Sequence, residues 1–222
     1  MGAIIRLDNV TLSYRRRVGV FRQELYTVFK NLSMEINRGE TVGIIGRNGA
    51  GKSSILRLMA GTIEPDAGVI WREPGISSSL LSLQVGFIST LSGRENIILS
   101  GVTRGMTRQY IQNKMDDIIQ FSGLESFIDQ PIMTYSSGMR GRLGFSLACN
   151  LDVDLVLIDE LLSVGDKEFR LKSKAAIEEL MKSNKTVIIV SHNERIVDEW
   201  CDRAIVIEGG IGASAEINGE AK

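Results

Sequence analysis

The chain has 222 residues, 43% hydrophobic and 24% charged, a composition that suits a globular fold and excludes a largely disordered or low-complexity chain. Lys and Arg number 26 and Asp and Glu 27, so the formal net charge is −1, which argues against a protein devoted to neutralising a nucleic-acid backbone. Cys149 and Cys201 form no CxxC pair and His192 is the single histidine, which excludes a disulfide scaffold and a multi-histidine metal site and suits a reducing compartment.

Taken in chain order, Ile4–Tyr14 alternates apolar and polar residues and predicts a strand. Arg15-Arg16-Arg17 and the residues up to Tyr26 read as a basic loop or hairpin, and Leu32–Ile36 as a second strand. Thr41–Ile45 is a short apolar run, predicted as a buried strand ending at Gly46, with a helix over Ser53–Ala60 stopped by Gly61 and Pro65. The middle of the chain changes to helical periodicity. Helices are expected over Arg94–Val102, Thr107–Phe121 and Met139–Asn150. In the second of these Ile111, Met115, Ile118 and Ile119 share one face, and Gly123 is placed to cap it. Strand and helix then alternate: Asp154–Asp159, Lys167–Lys182, Thr186–Ser191, Glu194–Trp200 and Ala204–Glu208. Short β-branched runs alternating with helices predict an α/β fold with a largely parallel sheet. The core is expected at about 1–90 and 151–210 with a helical insertion at about 90–150, and the small polar residues from Gly209 onward are expected to fray. The N-terminus lacks the basic start and apolar run of a signal peptide, and no apolar run approaches the ~20 residues that span a bilayer.

Two motifs carry chemistry on their own. Gly46-Arg47-Asn48-Gly49-Ala50-Gly51-Lys52-Ser53 fits G-x-x-x-x-G-K-[ST] at each fixed position and is followed by Ser54. Glycines let the backbone wrap a polyphosphate, so that successive N–H groups point at it. Lys52 reaches the β- and γ-phosphates, and the Ser53 hydroxyl ligates Mg²⁺ at a helix N-terminus. Leu155-Val156-Leu157-Ile158-Asp159-Glu160 is an apolar strand ending in two acids. Asp159 suits the Mg²⁺ shell through a water, and Glu160 suits polarising a water for attack on the γ-phosphate.

Between these motifs lies Tyr135-Ser136-Ser137-Gly138-Met139, directly before a predicted helix. It resembles the signature loop of the ATP-binding-cassette (ABC) ATPases, and the variant Y-S-S-G-M resembles their polysaccharide-export branch (O-antigen, capsule and teichoic acid). Gly93-Arg94-Glu95-Asn96 and Ser163-Val164-Gly165-Asp166 fit the same branch. The resemblance covers roughly residues 4–208 and implies a P-loop NTPase core with an antiparallel N-terminal β part and an inserted helical signature subdomain. It also implies ATP and Mg²⁺ as ligands, and a second copy of the chain in an ATP-sandwich dimer. In that dimer Ser136, Ser137 and Gly138 face the γ-phosphate held by the other copy. The resemblance gives His192, after Thr186–Val190, as a γ-phosphate switch and Asp166 as a residue reaching across the dimer. Asp166 reads equally as the N-cap of the following helix.

Two of the implied assignments stay open on the sequence. Tyr14 holds the place of the aromatic that stacks on adenine, and Tyr26 competes for it. Gln84 is placed as the glutamine touching Mg²⁺ only if a one-residue gap is allowed. The resemblance further implies a transmembrane permease partner, no nucleic acid, and a peripheral location on the cytoplasmic face of a bacterial membrane. No C-terminal carbohydrate-binding domain is expected in the segment after His192. The rival readings are a soluble non-transport cassette ATPase, a cassette exporter of another substrate, and a small-molecule kinase; the single phosphate loop and the signature loop weigh against the first and the last.

Overall fold

A computed structural model describes residues 2–18, 23–81, 86–159, 165–191, 194–207 and 215–218. The chain divides into two compact units, one formed by residues 1–76 with 184–222 and the other by 77–183. The helical insertion expected at about 90–150 lies wholly within the second.

In the first unit β1 (Ala3–Arg17) pairs antiparallel with β2 (Gln23–Asn37) on one side and with β4 (Ala67–Arg72) on the other. The register of β1 and β2 shifts between Leu7 and Val10, where Asn9 adopts φ 50°, a left-handed conformation that Asn tolerates better than most residues. Ile4, Ile5, Leu7, Val10, Phe29 and Leu32 are fully buried there. The basic stretch after Tyr14 is a hairpin, not a loop, because both strands run on to Arg17 and from Gln23. The second sheet places β3 (Thr41–Gly46) between β7 (Thr186–Val190) and β8 (Arg203–Ile207), all parallel. Strand β9 (Ala215–Asn218) adds to β8 antiparallel, so the segment expected to fray contributes a paired edge strand. Two helices belong to this unit, α1 (Lys52–Met59) and α6 (Glu194–Trp200). Arg72 of β4 donates to the Met59 carbonyl (3.0 Å) and the Leu58 carbonyl, placing a cation at the C-terminal end of α1.

Within the first unit Cys201 follows α6. Burial first, and Asp202 and Asp198 next, push its thiol from an ordinary value near 9 up to about 12. The folded state thus holds this proton more tightly, and the stability it contributes is present below pH 9 and lost as pH climbs toward 12. Since the thiolate is the nucleophile, alkylation of Cys201 by iodoacetamide at pH 8 is expected to be about a hundredfold slower or more in native protein than in urea. Peptide mass spectrometry against time checks this; equal rates would contradict it.

The second unit carries a parallel pair, β5 (Ser78–Leu81) and β6 (Leu155–Asp159), with α2 (Gly93–Val102), α3 (Arg108–Ser122), α4 (Ser137–Asn150) and α5 (Lys167–Met181). Each helix starts on a side chain suited to it. Ser92 and Glu95 form a reciprocal capping box on α2, Thr107 caps α3, and Gly123 closes α3 at φ 62°. The four apolar residues expected on one face of α3 are all buried. Phe121, Phe145 and Phe169 join α3, α4 and α5 in one aromatic cluster with centroids 5.8–6.1 Å apart. Among the described residues no helix is long and apolar enough to cross a membrane.

Strands β4 and β5 were not expected from the sequence. Four of the six residues of β4 are exposed, so no hydrophobic alternation marks it, and β5 is four residues long.

Candidate phosphate-binding site and signature loop

The first unit builds the phosphate loop from the sheet outward. The first four residues of β3 are buried between parallel neighbours, which fixes the strand end from which the loop leaves. The loop turns at Gly49 (φ 82°) and reaches Gly51 at φ 94°. At Gly51 a Cβ would lie 2.3 Å from Val28 Cγ1, so glycine is required both by the left-handed backbone and by the close approach of β2. Gly51 is also the N-cap of α1. No side chain caps this helix and its first turn holds no acid, which leaves the first amides for an external anion.

Lys52 is only 9% exposed. Its ammonium donates to the Gly46 carbonyl (2.7 Å) and the Arg47 carbonyl (3.0 Å), lying inside the curve of the loop. The Ser53 hydroxyl has no hydrogen-bond partner among the described residues. An uncapped helix start, a buried ammonium and a serine hydroxyl form a donor set that fits a nucleotide polyphosphate with its Mg²⁺. Beside them the Tyr14 and Ser54 hydroxyls share a hydrogen bond of 3.1 Å, which joins β1 to α1. Tyr26 sits opposite Tyr14 in the β1–β2 register and is half exposed. Asn48 is exposed and Ala50 buried, Ala50 N–H donating to the Arg47 carbonyl across the turn.

In the second unit Asp159 closes β6, after four buried apolar residues. A carboxylate at this strand end suits a water-mediated metal contact. The described residues hold no cluster of three or more His, Cys, Asp or Glu. Glu160, Gln84 and His192 lie outside the described residues.

The signature loop leaves a short 3-10 turn (Ile132–Thr134) and enters α4. Ser136 is the N-cap of that helix, its hydroxyl accepting from Met139 N–H at 3.1 Å, and Ser137 and Gly138 form its first turn. Ser136 and Ser137 are exposed, and a Cβ built on Gly138 meets nothing closer than 3.8 Å, so this helix start is open.

Tyr135 is buried, and its hydroxyl donates to the Phe127 carbonyl at 2.7 Å. Burial, and secondarily Asp129, push its phenol pKa up. A Cβ on Gly93 would sit 2.6 Å from the same hydroxyl and 3.0 Å from the Ile128 carbonyl. Tyr135 therefore pins the signature loop to the start of α2, a role its sequence neighbourhood did not suggest. Asn96 adds to that frame. It is 1% exposed, accepts from Ile88 N–H (2.8 Å) and donates to the Ile88, Leu91 and Ser92 carbonyls. The S-x-x-E spacing of Ser92 and Glu95 was the available sign that a helix begins here. Tyr135→Phe is expected to cost about 1 kcal/mol, the net value of one buried hydrogen bond. That appears as a melting temperature a few degrees lower, read by calorimetry; an unchanged melting temperature would mean that the bond adds nothing.

Asp166 caps α5, accepting from Phe169 N–H at 2.9 Å, and its other oxygen lies 3.8 Å from Arg142 on α4. Of the two roles open for Asp166 on the sequence, the N-cap is thus observed.

A protein-family model described as ABC transporter matches residues 29–163. An O-antigen export system ATP-binding protein, RfbB, from Myxococcus xanthus is 44% identical over 88% of this chain and 46% of its own length. A teichoic acids export ATP-binding protein, TagH, from Lactococcus lactis is 45% identical over 83% of this chain and 39% of its own length. The chain thus spans less than half of these two relatives. An RfbB of Klebsiella pneumoniae is 39% identical over 94% of this chain and 91% of its own length. Among solved structures, a dimeric ATP-binding cassette in a post-hydrolysis state bound to ADP and Pi superposes with a TM-score of 0.77 at 22% identity, covering 96% of this chain and 97% of that one. That likeness bears on the fold, the α/β P-loop arrangement expected from the sequence. The phosphate loop on β3 and α1, the strand ending in Asp159, and these matches together make the chain a member of the ABC transporter family.

Proposed function

We propose that this chain is the ATP-hydrolysing subunit of an ABC exporter that drives a polysaccharide or lipid-linked glycan across the bacterial cytoplasmic membrane. It forms one nucleotide-binding domain over its 222 residues and works peripherally, on the cytoplasmic face, against a transmembrane permease. The observation that carries this reading is the match over nearly the whole length of both chains to an O-antigen export ATP-binding protein.

In this reading Lys52 and the amides of Gly49, Ala50 and Gly51 hold the phosphates, and Tyr14 stacks on the base. Its bond to Ser54, beside the loop, supports Tyr14 over Tyr26 for that task. Ser53, Asp159 and Gln84 would hold Mg²⁺, which supplies charge neutralisation on the transferring phosphoryl group. Glu160 orients and polarises the attacking water, and His192 hydrogen-bonds the γ-phosphate. Ser136, Ser137 and Gly138, at the uncovered start of α4, complete the site of a second copy, and Asp166 reaches the same partner.

Deletion of the gene tests the cargo. Surface glycan is expected to disappear while lipid-linked glycan accumulates inside the cell, and plasmid-borne wild-type chain restores export where Lys52→Ala does not. Unchanged surface glycan in the deletion strain would overturn the assignment.

A further inference from the structure

The end of the β1–β2 hairpin differs from the rest of its sheet. Strand β4 pairs with β1 only as far as Thr11–Ala67, whereas β1 and β2 stay paired from Ser13–Thr27 to Arg17–Gln23. Beyond Thr11 the sheet therefore narrows to two strands, an arm extending about 10 Å past Tyr14. Residues 14–18 and 23–26 are all exposed. A two-stranded ribbon in water is marginal on its own, and this one leaves apolar side chains uncovered, with Leu25 69%, Val18 51% and Tyr26 50% exposed. Charge is segregated here too. Arg15, Arg16 and Arg17 stand against one glutamate, Glu24, in a chain whose net charge is −1. Arg15 pairs with Leu25 across the strands and Arg16 with Glu24, so the arginines fall on both faces of the ribbon and one of them borders the exposed leucine.

We propose that this arm is a membrane-docking element that seats on the anionic headgroup surface of the bilayer. The proposal rests on the reading above, that the chain works at a membrane face. Several cations on a protruding element are attracted to an anionic leaflet within a Debye length, and guanidinium groups match phosphate oxygens. Leu25 and Val18 supply the shallow apolar insertion that charge alone does not give, a second signal of the kind that durable peripheral binding requires. An acidic protein surface would use the charge and leave the exposed aliphatic residues uncovered.

The test is co-sedimentation of the full chain with sucrose-loaded vesicles of phosphatidylcholine, with and without roughly one third phosphatidylglycerol. Binding is expected only to the anionic vesicles, with release as salt is raised from about 0.1 M to about 0.5 M. Arg15→Glu with Arg16→Glu is expected to weaken it about tenfold or more, and Leu25→Ser severalfold at unchanged charge. Melting temperature and ATP turnover of these variants should match wild type, showing that the fold survives. Equal binding to neutral vesicles, undiminished binding by the charge-reversal variant, or no vesicle binding by wild type would each overturn the proposal. Arm-dependent capture on immobilised polyglutamate without vesicle binding would also overturn it, assigning the arm to an acidic protein. If vesicle binding fails while gene deletion still abolishes surface glycan, the arm proposal falls alone. If vesicle binding holds and surface glycan is unaffected by deletion, the export reading falls.

Discussion

Lys52→Ala is expected to reduce ATP turnover by about a hundredfold or more and to weaken nucleotide binding. The ammonium is almost fully buried and is held by two loop carbonyls, so its position is fixed before any ligand arrives. A charge fixed in this way acts at little reorganisation cost on phosphate oxygens whose charge builds up during transfer. The first turn of α1, Lys52-Ser53-Ser54-Ile55, offers amides and hydroxyls but no second cation in its place. The substitution also removes both hydrogen bonds to Gly46 and Arg47, so some loosening of the nucleotide-free loop is expected as well. Melting temperature therefore has to be measured on the same preparation as turnover and nucleotide affinity. A small thermal shift with lost turnover identifies Lys52 as a phosphate ligand. Retained turnover would remove the phosphate-loop assignment.

How legible a segment was in the sequence follows from how local its physics is. The phosphate loop was readable because its demands fall on consecutive residues: glycines for the backbone path, a lysine for charge, a hydroxyl for metal. The helix α3 was readable because its buried face repeats with helical period and its two ends carry Thr107 and Gly123. The same logic explains the failures. Strand β4 is largely exposed and shows no alternation, and β9 is specified by pairing with β8 rather than by its own small polar residues. Strand β2 begins well before Leu32 because its first residues belong to the protruding arm, where no core selects apolar side chains.

The signature segment shows the limit most clearly. Its motif was visible, but the bond from Tyr135 to Phe127 and the close approach of Gly93 depend on the path of the chain between α2 and the 3-10 turn. No spacing rule encodes such a contact. Ser136 is the converse case. Its local reading, an N-cap, is what the structure displays, and the larger role proposed for it concerns a second copy of the chain. Asp166 divides in the same way. Tyr14 and Tyr26, left open by the sequence, are cross-strand neighbours, and of the two it is Tyr14 that bonds Ser54.

Glu160→Gln is expected to convert the chain from a monomer to a dimer when ATP is added. In the proposed function each copy would supply the phosphate loop to one site and the start of α4 to the other. Two bound nucleotides provide much of the contact, so without them the halves have little reason to associate. Wild type would break its own dimer by hydrolysis. The amide keeps the size of the carboxylate but cannot accept a proton from water, which is expected to slow turnover by about a hundredfold or more and let the closed form accumulate. Light scattering after size exclusion reads the mass directly. Ser136→Arg in the same background sets a bulky cation on the exposed cap of α4, where the γ-phosphate of the partner's nucleotide would lie. That double variant is expected to bind nucleotide as a monomer and not to dimerise. An ATP-independent mass for Glu160→Gln would refute the shared site, and a dimer that survives Ser136→Arg would mean that the copies meet through some surface other than the signature loop.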